Sequence, residues 1–205
     1  MVITLCVMTF WGTHTSEAKG FGVTAGASFM NLKNISVDAT TGYHAGLTYQ
    51  FNLPFKFTLQ PSLIYHMKSS VVENGVENAS PIDIKTDYIE LPVSLQWGPD
   101  LILFRPFVDI TPFIGYGLNK NITGAPAEKA INNWDGWNRF EYGLGLGLGL
   151  DVWRLQIIGR YNWNFGSLVD EDGNFHTGSE VLADMKSIFD GNNYGGVTLS
   201  VAFMF

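Results

Sequence analysis

Apolar and polar residues alternate along eight segments of the chain, and this pattern predicts eight β-strands. Successive side chains of a strand point to opposite faces, so each segment has one apolar face and one polar or small face. Segments of about 11 residues match tilted membrane-spanning strands and exceed the five or six residues of a typical soluble strand. The segments are Gly20–Met30, Gly42–Asn52, Phe55–Met67, Lys85–Trp97, Arg105–Asn119, Trp137–Asp151, Trp153–Phe165 and Val197–Phe205.

The connections between these segments alternate between long and short. In membrane barrels the short turns face the periplasm and the long loops face the outside. The order therefore predicts an all-β protein, an eight-stranded antiparallel up-and-down transmembrane β-barrel in the outer membrane, with both termini in the periplasm. The long connections are Asn31–Thr41, Lys68–Ile84, Lys120–Gly136 and Gly166–Asn193, and the short ones lie at Leu53–Pro54, after Gly98 and at Val152.

The polarity of the segments indicates that their apolar faces contact outer-membrane lipid. Charged residues make up only 15% of the chain, and those within the segments lie on one face. Aromatic residues, 14% of the chain, occur near segment ends on the apolar face, as in the interfacial girdles of membrane barrels. Examples are Tyr43, Trp97, Trp153 and Trp163.

The sixth segment shows the clearest alternation and predicts close packing inside the barrel. Small residues in a strand allow a neighbouring backbone or a bulky side chain to approach. Phe140, Tyr142, Leu144, Leu146, Leu148 and Leu150 share one face, and Arg139, Glu141, Gly143, Gly145, Gly147 and Gly149 share the other.

The N-terminal residues have the features of a secretory signal. Met1–Trp11 is apolar but too short to span a membrane as a helix, and Ser16–Ala18 is a small-x-small cleavage site. We therefore predict a signal peptide over residues 1–18 and a barrel domain over residues 19–205. Cleavage there removes Cys6, the only cysteine, and excludes disulfides and thiolate metal sites from the mature protein.

Charged side chains on the inner faces predict an ion-pair network in the lumen. An unpaired charge in a narrow lumen costs several kcal/mol in desolvation, so these charges must pair. A structural network that fills the interior is the favoured interpretation, and a gate or ion path built on Glu90, Glu141 and Arg160 is the alternative. The predicted members are Lys56, Glu90, Arg139, Glu141 and Arg160, with Asp151 on the same inner face.

Other candidate chemistry is sparse. His44 and His66 lie on the same face of two adjacent segments, but no third ligand accompanies them, so neither a metal nor a cofactor is predicted. The spacing of Ser62, Ser69 and Asp87 does not indicate a catalytic triad, so no catalytic residue is predicted. The net charge of −7 and the lack of a Lys/Arg cluster exclude nucleic acid as a partner.

The last long connection contains an amphipathic pattern. Val181, Leu182, Met185, Ile188 and Phe189 recur at helical spacing, which predicts a short helix within Glu180–Asp190. The favoured interpretation is a cap that packs on the barrel itself. The alternatives are a helix that lies on the barrel mouth, binds a partner or plugs the lumen.

Three further motifs stand in the chain: Tyr88–Val93 with its Glu-Leu-Pro core, Arg105–Val108 with Thr111–Tyr116, and Arg160–Trp163 with Phe165–Gly166. They resemble those of the PorT-like outer-membrane β-barrel family of Bacteroidetes-type bacteria. The resemblance implies an eight-stranded outer-membrane barrel and brings no catalytic residues with it. The family's namesake is tied to protein secretion.

We therefore predict a small outer-membrane barrel that is not an enzyme. A side-chain-filled lumen and long extracellular loops favour a structural or surface-binding role, with an extracellular or periplasmic protein as partner. The alternatives are a narrow porin-like conduit, a secretion-associated barrel and a lipid-modifying enzyme.

Overall fold

The computed structural model describes residues 20–31, 40–72, 82–123, 139–167, 177–187 and 194–205, which form eight long strands and one α-helix. Phe51–Asn52 continues the second strand after Gln50, and a single 3-10 turn covers Pro54–Lys56. The strands are β1 Phe21–Asn31, β2 Thr40–Tyr49, β3 Phe57–Val72, β4 Ile82–Trp97, β5 Arg105–Thr123, β6 Phe140–Val152, β7 Leu155–Ser167 and β8 Tyr194–Met204, and helix α1 is Gly178–Ser187.

The sheet closes into a barrel because β1 pairs with both β2 and β8. Each strand is antiparallel to the next one in the chain, and Ala25 faces Ala45 on one side and Val201 on the other. When the pairings are followed around the barrel, one direction leads from Ala25 to Phe140 and the other leads to Leu150, ten residues further along β6. This stagger is what a closed barrel of tilted strands requires. The prediction of an eight-stranded antiparallel barrel is confirmed.

The interior is polar and the outer surface is apolar, the reverse of a water-soluble barrel. Gln96, Asp109, Thr111 and Gln156 are among the most deeply buried side chains. Large apolar side chains such as Leu63, Leu91, Ile110, Leu148, Leu199 and Val201 line the outside and stay exposed. No α-helix of the described residues is long and apolar enough to span a membrane.

Three of the four aromatic residues predicted for the interfacial girdles, Tyr43, Trp97 and Trp163, lie on the outer faces of strands. Tyr43, Trp97 and Trp153 are exposed, and Trp163 is half-buried. Tyr43 and Trp97 belong to the apolar outer faces of β2 and β4, whereas Trp153 occupies the turn between β6 and β7.

The glycine row of β6 provides space for bulky side chains inside the barrel. A Cβ atom on Gly149 would collide with the ring of Phe107, and one on Gly143 would collide with the ring of Phe113. Gly147 in the same way faces the carboxylate of Asp109. The prediction that these glycines relieve crowding in the lumen is confirmed.

Several strand boundaries differ from the prediction. β3 begins at Phe57 rather than Phe55, because Pro54–Lys56 form a turn in which Phe55 and Lys56 have positive φ angles of 62° and 65°. β3 and β5 extend to Val72 and Thr123, well past their predicted ends, since pairing continues into segments that lack clean alternation.

The two ends of the barrel differ. At the short-turn end lie Gly20, Phe205 and the connections 53–56, 98–104 and 153–154. The long-loop end carries the connections 32–39, 73–81, 124–139 and 168–193. Most of these long loops, like the predicted signal peptide over residues 1–18, lie outside the described residues.

Helix α1 is tied to the outer wall of the barrel at the long-loop end. Thr177 and Glu180 form a capping box, with the Glu180 carboxylate accepting bonds from the Thr177 amide and hydroxyl. Tyr142 lies on the outer face of β6, opposite exposed Ile114, yet it is buried and donates a hydrogen bond to Asp184. The helix begins two residues earlier than predicted, and residues 188–190 of the prediction lie outside the described residues.

Candidate functional site

The lumen contains a nearly continuous series of charged and hydrogen-bonded side chains from one end of the barrel to the other. Inward-facing positions of different strands bring these side chains together, because alternate residues of every strand point to the axis. They form three groups: one towards the long-loop end, one in the middle and one at the short-turn end. The charged members are Lys68, Glu90, Arg105, Asp109, Glu141, Asp151 and Arg160.

The long-loop group is centred on Lys68. Its ammonium lies 2.9 Å from Glu90 Oε1, also bonds Glu141, and stands 4.3 Å from the centre of the Tyr88 ring. Asn164 donates to the second oxygen of Glu141 over 2.9 Å. One cation therefore holds two carboxylates that would otherwise repel each other in a buried site.

The same group contains a serine, a histidine and a glutamate in series. His66 Nδ1 lies 2.9 Å from Glu90 Oε1, and His66 Nε2 lies 2.8 Å from Ser28 Oγ. With a neutral imidazole, Nδ1–H donates to the carboxylate and Nε2 accepts from the serine hydroxyl. This is the connectivity of a Ser-His-acid triad.

The middle group joins Asp109 to Arg160. Arg160 Nη2 lies 2.6 Å from Asp109 Oδ2, and the hydroxyls of Ser94 and Thr111 donate to the same oxygen over 2.7 and 2.6 Å. The Asp109 carboxylate is fully buried. Its charge is compensated by one guanidinium and two hydroxyls, which is the condition for a stable buried ion.

The short-turn group consists of Arg105, Asp151 and three glutamines. Arg105 Nη1 lies 3.1 Å from Asp151 Oδ2, and Gln156 donates to Asp151 Oδ1 over 2.8 Å. Gln96 donates to Gln60 over 2.7 Å and accepts from Arg105 over 3.4 Å. This group closes the lumen at the level where β3, β4, β5, β6 and β7 approach the short-turn end.

The structure brings together three of the five residues predicted for the lumen network. Glu90, Glu141 and Arg160 all point into the lumen and make ion pairs. Lys56 does not, because it belongs to the 3-10 turn before β3 and is exposed at the short-turn end. Arg139 does not either, because it precedes β6, is exposed, and lies 3.4 Å from the hydroxyl of outer-facing Tyr116.

Lys68, Arg105 and Asp109 also belong to the network, although they are not among its predicted members. The third predicted segment ends at Met67 and leaves Lys68 in the following connection, although the inward-facing Thr58, Gln60, Ser62 and His66 extend the same alternation to it. Asp109 lies between the inward-facing Phe107 and Thr111 on β5, so the alternation of that strand also predicts that its side chain faces the lumen.

The two histidines are adjacent but engaged with separate partners. Their ring centres lie 5.4 Å apart at an angle of 67°, as the pairing of His44 with His66 across β2 and β3 dictates. His44 Nε2 lies 2.9 Å from Ser200 Oγ. Within the described segments, no three His, Cys, Asp or Glu side chains are grouped as metal ligands.

The chemistry available in the lumen is limited by space. The cavity beside His44, His66, Lys68 and Glu90 has a volume of about 50 Å³, which is enough for one or two water molecules. Ser28 is only 1% exposed. The ion pairs can orient water or hold protons, but no organic substrate fits beside them.

Comparison with known proteins gives one family match and similarity to solved structures. The family model described as outer membrane protein beta-barrel domain matches residues 17–170. Among solved structures, the chain is similar to Neisserial surface protein A (NspA), with 14% identity and a TM-score of 0.48, over 91% of this chain and 97% of that one. It is also similar to a major outer membrane protein from Thermus thermophilus, with 13% identity and a TM-score of 0.44, over 91% and 98% of the two chains.

No curated protein matches the chain in sequence. The finer prediction of a PorT-like family stays a prediction. Since the family model covers more than half of the residues, the chain belongs to the outer membrane protein beta-barrel domain family and is located in the outer membrane.

Proposed function

We propose that this protein is a closed outer-membrane barrel that acts through its surface and its ends, in a structural or surface-binding role. The single observation that supports this is the lumen, which is filled by three hydrogen-bonded groups of charged side chains. An eight-stranded barrel has an interior just wide enough for side chains, and here paired charges occupy it. The long connections at the long-loop end provide the surface for a partner outside the cell.

Planar-bilayer recording tests the closed lumen and separates it from a narrow conduit. We expect no steady conductance from the wild-type protein, because Lys68 and Arg160 bridge strands across the lumen and Arg105 pairs with Asp151 of the neighbouring strand. The double variant Asp109→Ala with Arg160→Ala removes the middle group and should raise the open probability. Val201→Ala, a change on the lipid-facing surface, is the matched control. A steady open channel in the wild type, altered by the lumen variant, would instead establish the conduit.

A surface-binding role is tested on whole cells. Photo-crosslinkers placed in the long connections should capture a protein or glycan outside the cell, whereas crosslinkers on the lipid-facing Leu91 should capture only lipid. Equal capture at both positions would contradict the role proposed for the loops. Association with a secretion apparatus, which the PorT-like resemblance implies, would appear instead as capture from the short-turn end.

The arrangement of Ser28, His66 and Glu90 supports a hydrolase as the second candidate. Two features argue against it: Ser28 is buried and does not line the lumen cavity of about 50 Å³, and Glu90 is also paired with Lys68. We expect no labelling of Ser28 by a fluorophosphonate probe in the folded barrel. Labelling that disappears in Ser28→Ala but persists in Ser62→Ala would establish the enzyme.

A further inference from the structure

The short-turn end of the barrel opens into a cavity of about 510 Å³, which we name the vestibule. Its floor is polar and consists of lumen-facing side chains, including Gln50, Arg105 and Asp151. Its walls are the apolar side chains of the short turns, mainly Leu101–Phe104 and Trp153. The vestibule is about ten times larger than the cavity inside the lumen and lies at the opposite end from the long loops.

Two polar atoms at the floor have no hydrogen-bond partner in the protein. Arg105 binds Asp151 through Nη1 and lies 3.6 Å from Asp100 through Nε, but its buried Nη2 is unpaired. The side-chain oxygen of Gln50, a residue only 3% exposed, is likewise unpaired. Buried polar groups are rarely left without partners. These two atoms are buried, so a ligand reaches them only when the Arg105 and Gln50 side chains turn towards the vestibule.

The walls are unusually apolar for turns in water. Ile102 is fully exposed, Leu103 is 79% exposed and Trp153 is 74% exposed. Trp153 also has a positive φ angle of 56°, which is strained for a residue with a Cβ atom. Exposed apolar side chains held in strained turns are a feature of binding sites, where the surrounding fold supports the strain.

We propose that the vestibule binds the C-terminal end of an extended, apolar polypeptide in the periplasm. The terminal carboxylate accepts from Arg105 Nη2, the peptide N–H groups donate to Gln50 Oε1, and the apolar side chains pack on Leu101, Leu103 and Trp153. The vestibule is also lined by Lys56 and Asp100, which contribute one positive and one negative charge. The orientation follows from the rule that short turns face the periplasm.

The chemistry of the vestibule favours a polypeptide over a simple amphiphile or the bilayer. A fatty carboxylate accepts from Arg105 but has no N–H for Gln50, whereas a peptide supplies both groups. The bilayer contacts the outer faces of the strands, whereas Leu101, Leu103 and Trp153 line the vestibule together with the lumen-facing Gln50 and Asp151.

The test uses the full-length barrel in lipid nanodiscs, which leave both ends accessible. The probe is a labelled, water-soluble octapeptide that ends in two leucines and a free carboxylate, measured by fluorescence anisotropy. We expect saturable binding, and about tenfold weaker binding of the same peptide with a C-terminal amide, since a charge-assisted hydrogen bond to arginine is lost.

Three variants locate the binding site. Leu103→Asp should weaken binding of the peptide at least about tenfold, because it puts a charge on the apolar wall. Leu182→Asp, the same change at an exposed leucine on α1 at the long-loop end, is the matched control and should bind like the wild type. The wild type should bind the peptide more tightly than its N-methylated form, which has no N–H groups for Gln50. Gln50→Leu should reduce this difference in affinity.

Each remaining outcome overturns the proposal. Equal binding of the carboxylate and the amide would exclude Arg105 as the anchor, and equal binding by Leu103→Asp would exclude the vestibule. Decanoate that displaces the peptide completely at similar concentrations would assign the site to a small amphiphile. Strong quenching of Trp153 by lipids brominated in the acyl chains would place these turns in the bilayer. Heat-modifiable migration on gels verifies that every variant is folded.

Discussion

At the scale of single residues, this protein is organised by buried charges that share partners. Lys68 lies between Glu90 and Glu141, and Asp109 between Arg160 and two hydroxyls. In each case the loss of one side chain leaves an opposite charge without its main partner. Breaking a buried pair in this way costs more than the pair itself contributes, because the remaining ion stays desolvated.

Lys68→Met should lower the free energy of unfolding by about 3–5 kcal/mol at neutral pH. Two buried carboxylates then face each other, and protonating either one relieves the repulsion. The folded variant therefore binds more protons than its unfolded chain, so its free energy of unfolding should rise as the pH falls. The free energy of unfolding of the wild type should fall over the same range, because the ion pairs weaken. Urea unfolding in lipid vesicles at neutral and acidic pH measures this slope.

Lys56→Met is the control for that experiment. Lys56 is exposed at the short-turn end, so this variant makes the same lysine-to-methionine change without touching the lumen group. It should change stability by less than about 0.5 kcal/mol at either pH. Equal effects of the two substitutions would show that Lys68 does not hold the two carboxylates together.

At the scale of elements, strand β6 shows what the alternation of leucine and glycine predicts and what it does not. Its leucines predict a lipid-facing surface and its glycines a lumen-facing one, and both predictions agree with the structure. The alternation does not reveal which partner each glycine faces. That depends on the pairing of β6 with β5 and β7, which places Gly147 beside Asp109 and Arg160.

Gly147→Val should destabilise the barrel by about 1–3 kcal/mol, because the added side chain displaces the Asp109 carboxylate from Arg160. Gly159→Val is the matched control. Gly159 lies on the outer face of β7, and a Cβ atom there meets no other atom within 4 Å. This substitution should be neutral or slightly stabilising, since valine suits a lipid-facing strand. Unfolding followed by tryptophan fluorescence distinguishes the two, and a loss in both would indicate a general effect of removing glycine.

At the scale of the whole molecule, the barrel has apolar side chains outside and polar side chains inside, the reverse of a water-soluble barrel. The apolar outer surface would be a large exposed patch in water and is stable only when lipid covers it. Inside the closed lumen each ion has partners from the barrel itself, while Gln50 Oε1, Gln156 Oε1 and Arg105 Nη2 stay unpaired. The surrounding lipid is therefore part of what stabilises this fold.

Leu199→Arg tests the position of the barrel in the bilayer. Leu199 is exposed in the middle of β8, so a charge there should cost about 2–4 kcal/mol in unfolding free energy. Phe51→Arg, at the short-turn end of β2, should cost about 0–1 kcal/mol because the substituted charge reaches the interface. Equal costs, measured by unfolding in the same vesicles, would contradict the depth assigned to these two residues.

The sequence by itself determined the number of strands, their two faces and the order of short and long connections. These are local properties, because the period of side-chain direction is set by the strand backbone alone. Only the tertiary structure decided the registers and the ten-residue stagger, and these determine which inward side chains meet. Arg160 therefore pairs with Asp109, Lys68 joins Glu90 to Glu141, and Lys56 and Arg139 lie apart from both groups. Such contacts depend on pairings between strands far apart in the chain, which no single segment encodes.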